Sequence, residues 1–329
     1  MTLRLLVVGC TPLARKAVAI GEGLVNLVGV ANLDSEAGRG KSNYDPIGEF
    51  AARRAEDMHY TADVNSMRTL EWMAARRPDV ILQLGWSQIF GQTLLELPRM
   101  FCIGIHPSPL PVGRGAAILN WKLIEGGGAW GNSLFVMEER TDTGDILDFE
   151  PFELEPRDDI HSAHQKVDWT AAKMLRRILP RLADGTFERR PQDHSKATRY
   201  YKRRPEDGRL HLSWSAAKVI DFIRALTHPF PGAFIDGPKG RLWLWRAASG
   251  SASGGERPGR VIEIKRGQGV RVAVGDGSSV WLERVSDADD CEVWADDWAA
   301  DRGISVGGQL MLAELEVGDR ANERERKVL

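Results

Sequence analysis

The chain has 329 residues, of which 43% are hydrophobic and 27% charged, and its formal net charge is −2. This length exceeds a usual single domain, so we expect two domains of an ordinary globular protein. The small net charge excludes a general attraction to nucleic acid or membrane, so any such binding needs a local patch. No run approaches the ~20 apolar residues that cross a bilayer, and the apolar start MTLRLLVVG is too short for a signal peptide. We therefore predict a soluble, cytoplasmic protein with reduced, buried Cys10 and Cys102.

Short apolar runs alternate with helical patterns in the first half of the chain. Strands are predicted at 4–9, 27–33, 79–85 and 101–105, with helices between them. This alternation predicts parallel βαβ units with right-handed crossovers, and hence a doubly wound, mostly parallel, Rossmann-like sheet. Two further strands, NSLFVMEE and DILDFEPFEL, precede a long helix over about 159–183. Its predicted apolar face consists of Ala163, Val167, Ala171, Met174, Ile178 and Leu182.

The second half begins with a turn-rich stretch, 183–208, that predicts a linker. A helix in SAAKVIDFIRALTH and four strand-like segments follow, with a flexible loop expected at 248–259. Short strands separated by glycine turns favour a small β-rich, barrel-like domain. We therefore divide the chain into a catalytic domain (1–188), a basic linker (189–207), a C-terminal β-rich domain (208–317) and a disordered tail (318–329).

The candidate chemistry lies in loops that follow the strands, because ligands of an open α/β sheet bind beyond the carboxyl ends of its strands. Four loops are expected to meet there: GCTPLA (9–14), GWSQIF (85–90), HPSPLPVGRG (106–115) and EERTDTGD (138–145). His106 suits proton transfer near neutral pH, and Asp142 could fix the tautomer of its ring. Many such His–Asp pairs are purely structural, and from position alone that alternative stays open.

The stretch HPSPLP with the following Arg-Gly and Trp121, and then DTGDIL, resembles the folate-dependent formyltransferase family. That family includes methionyl-tRNA formyltransferases, glycinamide ribonucleotide formyltransferases and sugar-nucleotide N-formyltransferases. The resemblance implies an enzyme (EC 2.1.2 type) that transfers a formyl group from N10-formyltetrahydrofolate to a primary amine. It also implies that His106 hydrogen-bonds the developing oxyanion and shuttles a proton, while Asp142 orients the ring and relays a proton through a water.

The resemblance further implies which positions bind the folate. These are Gln88, Ile89 and Phe90, then Ser108, Pro109, Leu110 and Pro111, and finally Glu138, Glu139, Arg140 and Thr141. Trp86 joins them because an indole in a loop after a buried strand suits a wall against a flat ring. A proline-rich loop is expected to present carbonyl groups to the pterin without a competing regular ladder.

Gly104 departs from the family pattern, which has an Asn two positions before the catalytic His. That Asn donates a hydrogen bond to the oxyanion, and losing one such donor typically costs ~10² to 10³ in rate. Three explanations stay open: another donor (Gln83, Gln88 or a water) replaces it, the acceptor or acyl group differs, or the chain is a weak enzyme or a folate-binding relative. A backbone that needs room near a ligand would also select glycine.

Different stretches of the sequence favour different acceptor amines. Residues 36–54 resemble methionyl-tRNA formyltransferases, and the linker carries seven basic residues, which suit a phosphate backbone or a solvated surface: Arg189, Arg190, Lys196, Arg199, Lys202, Arg203 and Arg204. ILNW (118–121) and RALTHPFPGAF (224–234) resemble instead the formyltransferases of UDP-4-amino-arabinose and other amino sugars. Between Glu283 and Asp301, eight acids stand against one base, which predicts repulsion of RNA.

We therefore favour a nucleotide-linked amino sugar as acceptor, ahead of Met-tRNA and hydroxamate-type amines. Arg114 is predicted either to bind the acceptor's diphosphate or to brace the Gly-Arg-Gly turn, and Asn120 is predicted to contact the acceptor. No metal is expected, because His161 and His164 are better explained as exposed surface residues than as ligands. No membrane partner is expected, and a homodimer stays open as the assembly.

Overall fold

The computed structural model describes residues 2–39, 41, 43–237, 240–287 and 291–310. Its N-terminal part builds one large sheet with helices on both faces. The elements are β1 (Arg4–Gly9), α1 (Pro12–Leu24), β2 (Asn26–Leu33), α2 (Ser35–Gly38), α3 (Gly48–Arg53), β3 (Met58–Thr61), α4 (Met67–Ala75), β4 (Val80–Leu84), α5 (Gln92–Leu95), β5 (Phe101–His106), β6 (Arg114–Gly115), α6 (Ile118–Ile124), β7 (Gly128–Val136), β8 (Ile146–Leu154) and α7 (Ile160–Asp184).

The C-terminal part is built mainly from short strands. Its elements are β9 (Arg199–Tyr200), α8 (Ala216–Leu226), β10 (Ala233–Gly237), β11 (Gly240–Ser249), β12 (Val261–Lys265), β13 (Gly269–Ala273), β14 (Ser279–Ser286), β15 (Val293–Trp294) and α9 (Ala295–Asp301). Among the strands, β3, β6, β9, β10 and β15 are absent from the sequence prediction. The predicted tail, 318–329, lies outside the described residues, and the predicted domain boundaries stay predictions.

The large sheet has seven strands in the order β3-β2-β1-β4-β5-β7-β8. The first five strands in this order pair in parallel, whereas β7 is antiparallel to both of its neighbours, β5 and β8. After β1, the chain adds β2 and β3 on one side of β1 and then returns to add β4 on the opposite side. This reversal of the strand order is the topological switch point of a doubly wound sheet. The predicted fold class is therefore confirmed.

Helix α7 shows why the sequence folds this way locally. Asp159 caps its first turn by accepting from the amide of Ser162 at 2.8 Å, and the Ser162 hydroxyl accepts from the amide of Asp159 at 3.0 Å. Gly185 ends the helix in a left-handed conformation at φ 77°. The six residues of its predicted apolar face are all buried.

Strands β10 to β14 form an antiparallel sheet in the order β10-β11-β14-β13-β12, with β15 paired to β14. The segment Gly308–Leu310 runs beside the other end of this sheet, since the Val261 amide donates to the Gly308 carbonyl and the Leu310 amide donates to the Gly259 carbonyl, both at 2.9 Å. The Leu310 carbonyl also packs against Gly237 at the end of β10. This segment therefore links the two edge strands, as a barrel-like sheet requires.

One apolar cluster joins the two parts of the molecule. It includes Leu119 and Leu123 of α6, Ile160 and Val167 of α7, and side chains of α8 and of the C-terminal sheet. The two parts therefore share a hydrophobic core. None of the described helices is both long and apolar enough to span a bilayer.

The cysteines provide a test of the packing. Cys10 and Cys102 are buried, and Cys291 is exposed. Burial raises the pKa of the Cys10 thiol, with Lys41 opposing, and raises the pKa of the Cys102 thiol to about 12. We expect a thiol reagent at pH 8 to label one cysteine per native chain, Cys291, and three after unfolding, because the reactive species is an accessible thiolate. Labelling of Cys102 at the native rate of Cys291 would contradict this packing.

Candidate active site

The His106 side chain lies at the carboxyl end of β5 and is only 8% exposed. Its Nε2 lies 2.7 Å from the carbonyl oxygen of Gly113. Because a carbonyl can only accept, Nε2 carries a proton and donates. The other ring nitrogen, Nδ1, lies 3.6 Å from Oδ1 of Asp142. The predicted His–Asp pair is thus brought together, at an ion-pair distance that exceeds a hydrogen bond.

Asp142 reaches His106 by an unexpected path. Strand β7 runs antiparallel to β5 and ends beside Ile103, so the loop after it starts away from the carboxyl edge of the sheet. The loop folds back, with Asp142 in a left-handed conformation at φ 63°. Oδ2 of Asp142 accepts from the amide of Gly115 at 2.8 Å. Gly144 allows this return, since a Cβ there would lie 1.9 Å from the carbonyl oxygen of Val136.

Gly104 faces an aromatic ring. It pairs with Phe135 across β5 and β7, and a Cβ at position 104 would lie 2.9 Å from Cε1 of Phe135 and 3.3 Å from Cγ of Met137. The same Phe135 ring lies edge-to-face to the His106 ring, with centroids 6.5 Å apart and an interplanar angle of 87°. An Asn at 104 would therefore need the volume that Phe135 fills.

The two glutamines that could replace the missing donor have backbone partners. Nε2 of Gln83 donates to the Trp86 carbonyl at 2.7 Å. Nε2 of Gln88 donates to the Ala62 carbonyl at 3.0 Å, while its Oε1 accepts from the Val64 amide and from Nε1 of Trp86. Both amides thus brace the loop after β4. These contacts disfavour a glutamine as the substitute donor.

The loop Ser108–Pro111 is tied down more than the sequence indicates. The Ser108 carbonyl accepts from Oγ of Ser133 at 2.6 Å, and the Pro109 and Pro111 carbonyls accept from the amides of Val112 and Thr198. The buried Leu110 amide donates to Ser133 at 3.2 Å. Oγ of Ser108, in contrast, is buried without a hydrogen-bond partner among the described residues. This hydroxyl is therefore a polar atom of the loop that a ligand could use.

The remaining predicted folate positions differ in accessibility. Trp86 and Phe90 are buried, and the ammonium of Lys41 lies 5.9 Å from the centroid of the Trp86 ring. Ile89 is 71% exposed despite being apolar, and so is available to a ligand. Glu138, Glu139, Arg140 and Thr141 are exposed on the loop that carries Asp142.

Arg114 and Asn120, the predicted acceptor contacts, are both buried. Nη2 of Arg114 donates to Oε1 of Gln192 at 2.7 Å and to Nδ1 of His194 at 2.8 Å. Burial lowers the pKa of Arg114, and the nearby Asp142 opposes that effect. Nδ2 of Asn120 donates to the Ala225 carbonyl of α8 at 2.7 Å. The contacts of Arg114 favour the alternative in which it braces the turn.

Sequence reasoning did not identify four residues that shape this site: Phe135, Ser133, Gln192 and Thr198. Phe135 and Ser133 lie in a strand with the pattern of ordinary core. Gln192 and Thr198 lie in a turn-rich stretch without a motif. It also placed His164 on the surface, whereas that ring is partly buried and stacks on Phe230 with centroids 6.1 Å apart.

Comparison with known families identifies the class of protein. A family model described as formyl transferase matches residues 18–179, and a second, described as formyl transferase, C-terminal domain, matches residues 202–303. The two matches cover more than half of the chain. The chain therefore belongs to the folate-dependent formyltransferase family.

Solved structures show the same fold. HypX from Aquifex aeolicus in complex with tetrahydrofolic acid has a TM-score of 0.66 at 18% identity, over 93% of this chain and 48% of that chain. Methionyl-tRNA formyltransferase from Clostridium thermocellum has 0.53 at 20%, over 84% and 100%. An N-formyltransferase from Helicobacter canadensis in complex with folinic acid and dTDP-3-aminofucose has 0.63 at 14%, over 84% and 98%. The present chain thus spans about half the length of HypX.

The contact between Gly104 and Phe135 can be tested by stability. We expect Gly104→Asn to lower the free energy of unfolding by about 1 to 3 kcal/mol, because the added side chain overpacks against Phe135. Combining it with Phe135→Ala should recover part of that loss, with a coupling of roughly 1 kcal/mol or more in a urea-unfolding cycle. Gly48→Asn is the control, since a Cβ there meets nothing within 4 Å. Strictly additive energies would show that the two positions do not compete for space.

Proposed function

We propose that the chain transfers a formyl group from N10-formyltetrahydrofolate to the primary amine of a nucleotide-linked amino sugar. The observation that carries the formyl-transfer part is the buried pair of His106 and Asp142, 3.6 Å apart. A proton acceptor and a carboxylate in this arrangement suit the attack of an amine on an acyl carbon, during which the amine must lose a proton.

The positions predicted to bind the folate are compatible with that role. The buried Oγ of Ser108 has no partner among the described residues, the apolar Ile89 is exposed, and residues 138–141 are open to solvent on the Asp142 loop. Trp86 and Phe90 would form the apolar base of this region. A folate bound there would supply the formyl group from its N10.

The protein's own groups would manage the charges of this transfer. The His106 ring is fixed by its bond to the Gly113 carbonyl, which leaves its Nδ1 edge, next to Asp142, as the part that can meet the acceptor. The nitrogen that attacks loses one proton and N10 of tetrahydrofolate gains one, so His106 and Asp142 need only hold that proton between the two steps. Phe135 fills the space beside Gly104, where the family has its Asn.

The preference for a sugar nucleotide is supported by the resemblance of two stretches to sugar enzymes, and these stretches contact each other in the structure. Residues 118–121 lie in α6, and residues 224–226 form the end of α8, which packs against α6. Asn120 donates to the Ala225 carbonyl at 2.7 Å. In this proposal, helices α6 and α8 form one side of the acceptor site. Arg199 is exposed and pairs in register with Arg114 of the catalytic loop, and no carboxylate partner is found for it among the described residues. It is our candidate for contact with the acceptor's phosphates.

Charge in the C-terminal part argues less strongly against RNA than the sequence predicts. Several of the acids counted between Glu283 and Asp301 have cationic partners, and Asp296 is buried and accepts from the amide of Gly267. The paired acids are Glu283 with Arg246, Asp287 with Arg302, and Glu292 with Arg284. Asp289 and Asp290 lie outside the described residues. Methionyl-tRNA, which suits exposed cations such as Arg190 and Lys202 in the linker, is therefore our second candidate.

A panel of amine acceptors tests the proposal. UDP-, dTDP- and GDP-linked amino sugars and Met-tRNA are each incubated with 10-formyltetrahydrofolate and the full chain, and release of tetrahydrofolate is measured. We expect release with at least one sugar nucleotide. Release with Met-tRNA alone would establish the second candidate. Binding of the folate without release for any acceptor would support the non-enzymatic alternative.

His106→Ala separates an enzyme from a folate-binding relative. We expect turnover to fall by roughly 10² to 10⁴, the usual contribution of a general acid–base group, with folate affinity nearly unchanged. His161→Ala is the matched control, because that exposed ring contacts Gln165 on α7. Full turnover in the His106 variant would remove this residue from the chemistry.

A further inference from the structure

Gln192 is a buried side chain that touches both loops of the candidate active site. It lies between α7 and β9 and is 7% exposed. Its Nε2 donates to the carbonyl oxygens of Asp142 at 3.0 Å and Gly144 at 2.7 Å, while its Oε1 accepts from Arg114 at 2.7 Å. One amide thus holds the Asp142 loop on one side and the His106 loop on the other.

The segment around Gln192 is itself anchored to the same loops. Arg190 exchanges two main-chain hydrogen bonds with Ile146, just after the Asp142 loop, at 2.8 and 2.9 Å. Further on, the Thr198 carbonyl accepts from the Arg114 amide and its Oγ1 accepts from the Gly113 amide, both at 2.9 Å. The predicted linker is therefore a structural part of the site.

These contacts lead directly to the two partners of the His106 ring. Gly113 supplies the carbonyl that binds Nε2, and Asp142 supplies the carboxylate beside Nδ1. The left-handed backbone of Asp142 is less favourable than for glycine, so contacts with its neighbours help to hold it near His106. Gln192 holds it through the Asp142 carbonyl itself.

We propose that Gln192 is a positioning residue that sets the distance between His106 and Asp142 for formyl transfer. This inference rests on the proposed function for its kinetic consequence. Gln192 touches neither the imidazole nor the carboxylate, so it acts through the Gly113–Gly115 turn and through the Asp142 backbone. Its loss should slow the reaction while leaving the binding of the folate in place.

Gln192→Glu is the sharper of two variants. The side chain keeps its length and an oxygen for Arg114, but the nitrogen that donates becomes an oxygen facing two carbonyls. We expect kcat to fall about 10- to 100-fold, as is typical when a supporting hydrogen bond of a catalytic group is lost, with KM for the formyl donor within about threefold of the wild type. Gln192→Ala should behave alike, and Gln165→Ala, on the exposed face of α7, should change nothing.

A second measurement does not depend on turnover. In the full chain without substrates, the carbon-bound proton signals of the His106 ring, assigned with His106→Ala, should move or broaden in both Gln192 variants and stay in place in Gln165→Ala. If kcat and these signals match the wild type in both variants, the positioning role is overturned. If the wild type transfers formyl to no acceptor, the proposed function fails, and the ring signals alone decide about Gln192.

Discussion

The site depends on the two oxygen atoms between which the His106 ring is held. One is a main-chain carbonyl, at Gly113, and the other belongs to a carboxylate, at Asp142. Neither is fixed by the strand that carries the histidine. The turn 113–115 joins them, since the Gly115 amide binds the Asp142 carboxylate and the Gly113 carbonyl binds the ring. A short piece of backbone therefore sets the geometry of both side chains of the candidate site.

Much of the sheet could be derived from the sequence because buried parallel strands are nearly continuous apolar runs. The strands β1, β2, β4 and β5 and the long helix α7 were found in this way. Strand β3, MHYT, was not, since a four-residue edge strand with two polar members carries almost no periodic signal. His106 and Asp142 were found from their loops and from the family resemblance, whereas no local pattern marks Gln192 or Thr198.

Residues such as Gln192 and Thr198 could not be predicted from the sequence for a common physical reason. Their roles come from contacts with residues far along the chain, such as Gln192 with Asp142 and Gly113 with Thr198. Such pairings follow from how a turn-rich segment returns across a finished sheet, and no periodicity encodes that path. Gly104 was recognised as unusual in the sequence, but the ring that fills the adjacent volume could only be located in three dimensions.

The apolar cluster common to α6, α7, α8 and the C-terminal strands has a consequence for evolution and for engineering. A chimera joined within the turn-rich segment would separate side chains that pack in one cluster, and would also break the strand pair β6–β9 beside the His106 loop. Exchange of acceptor preference between relatives is therefore expected to proceed by replacing loops, with the junction between the halves inherited as one piece.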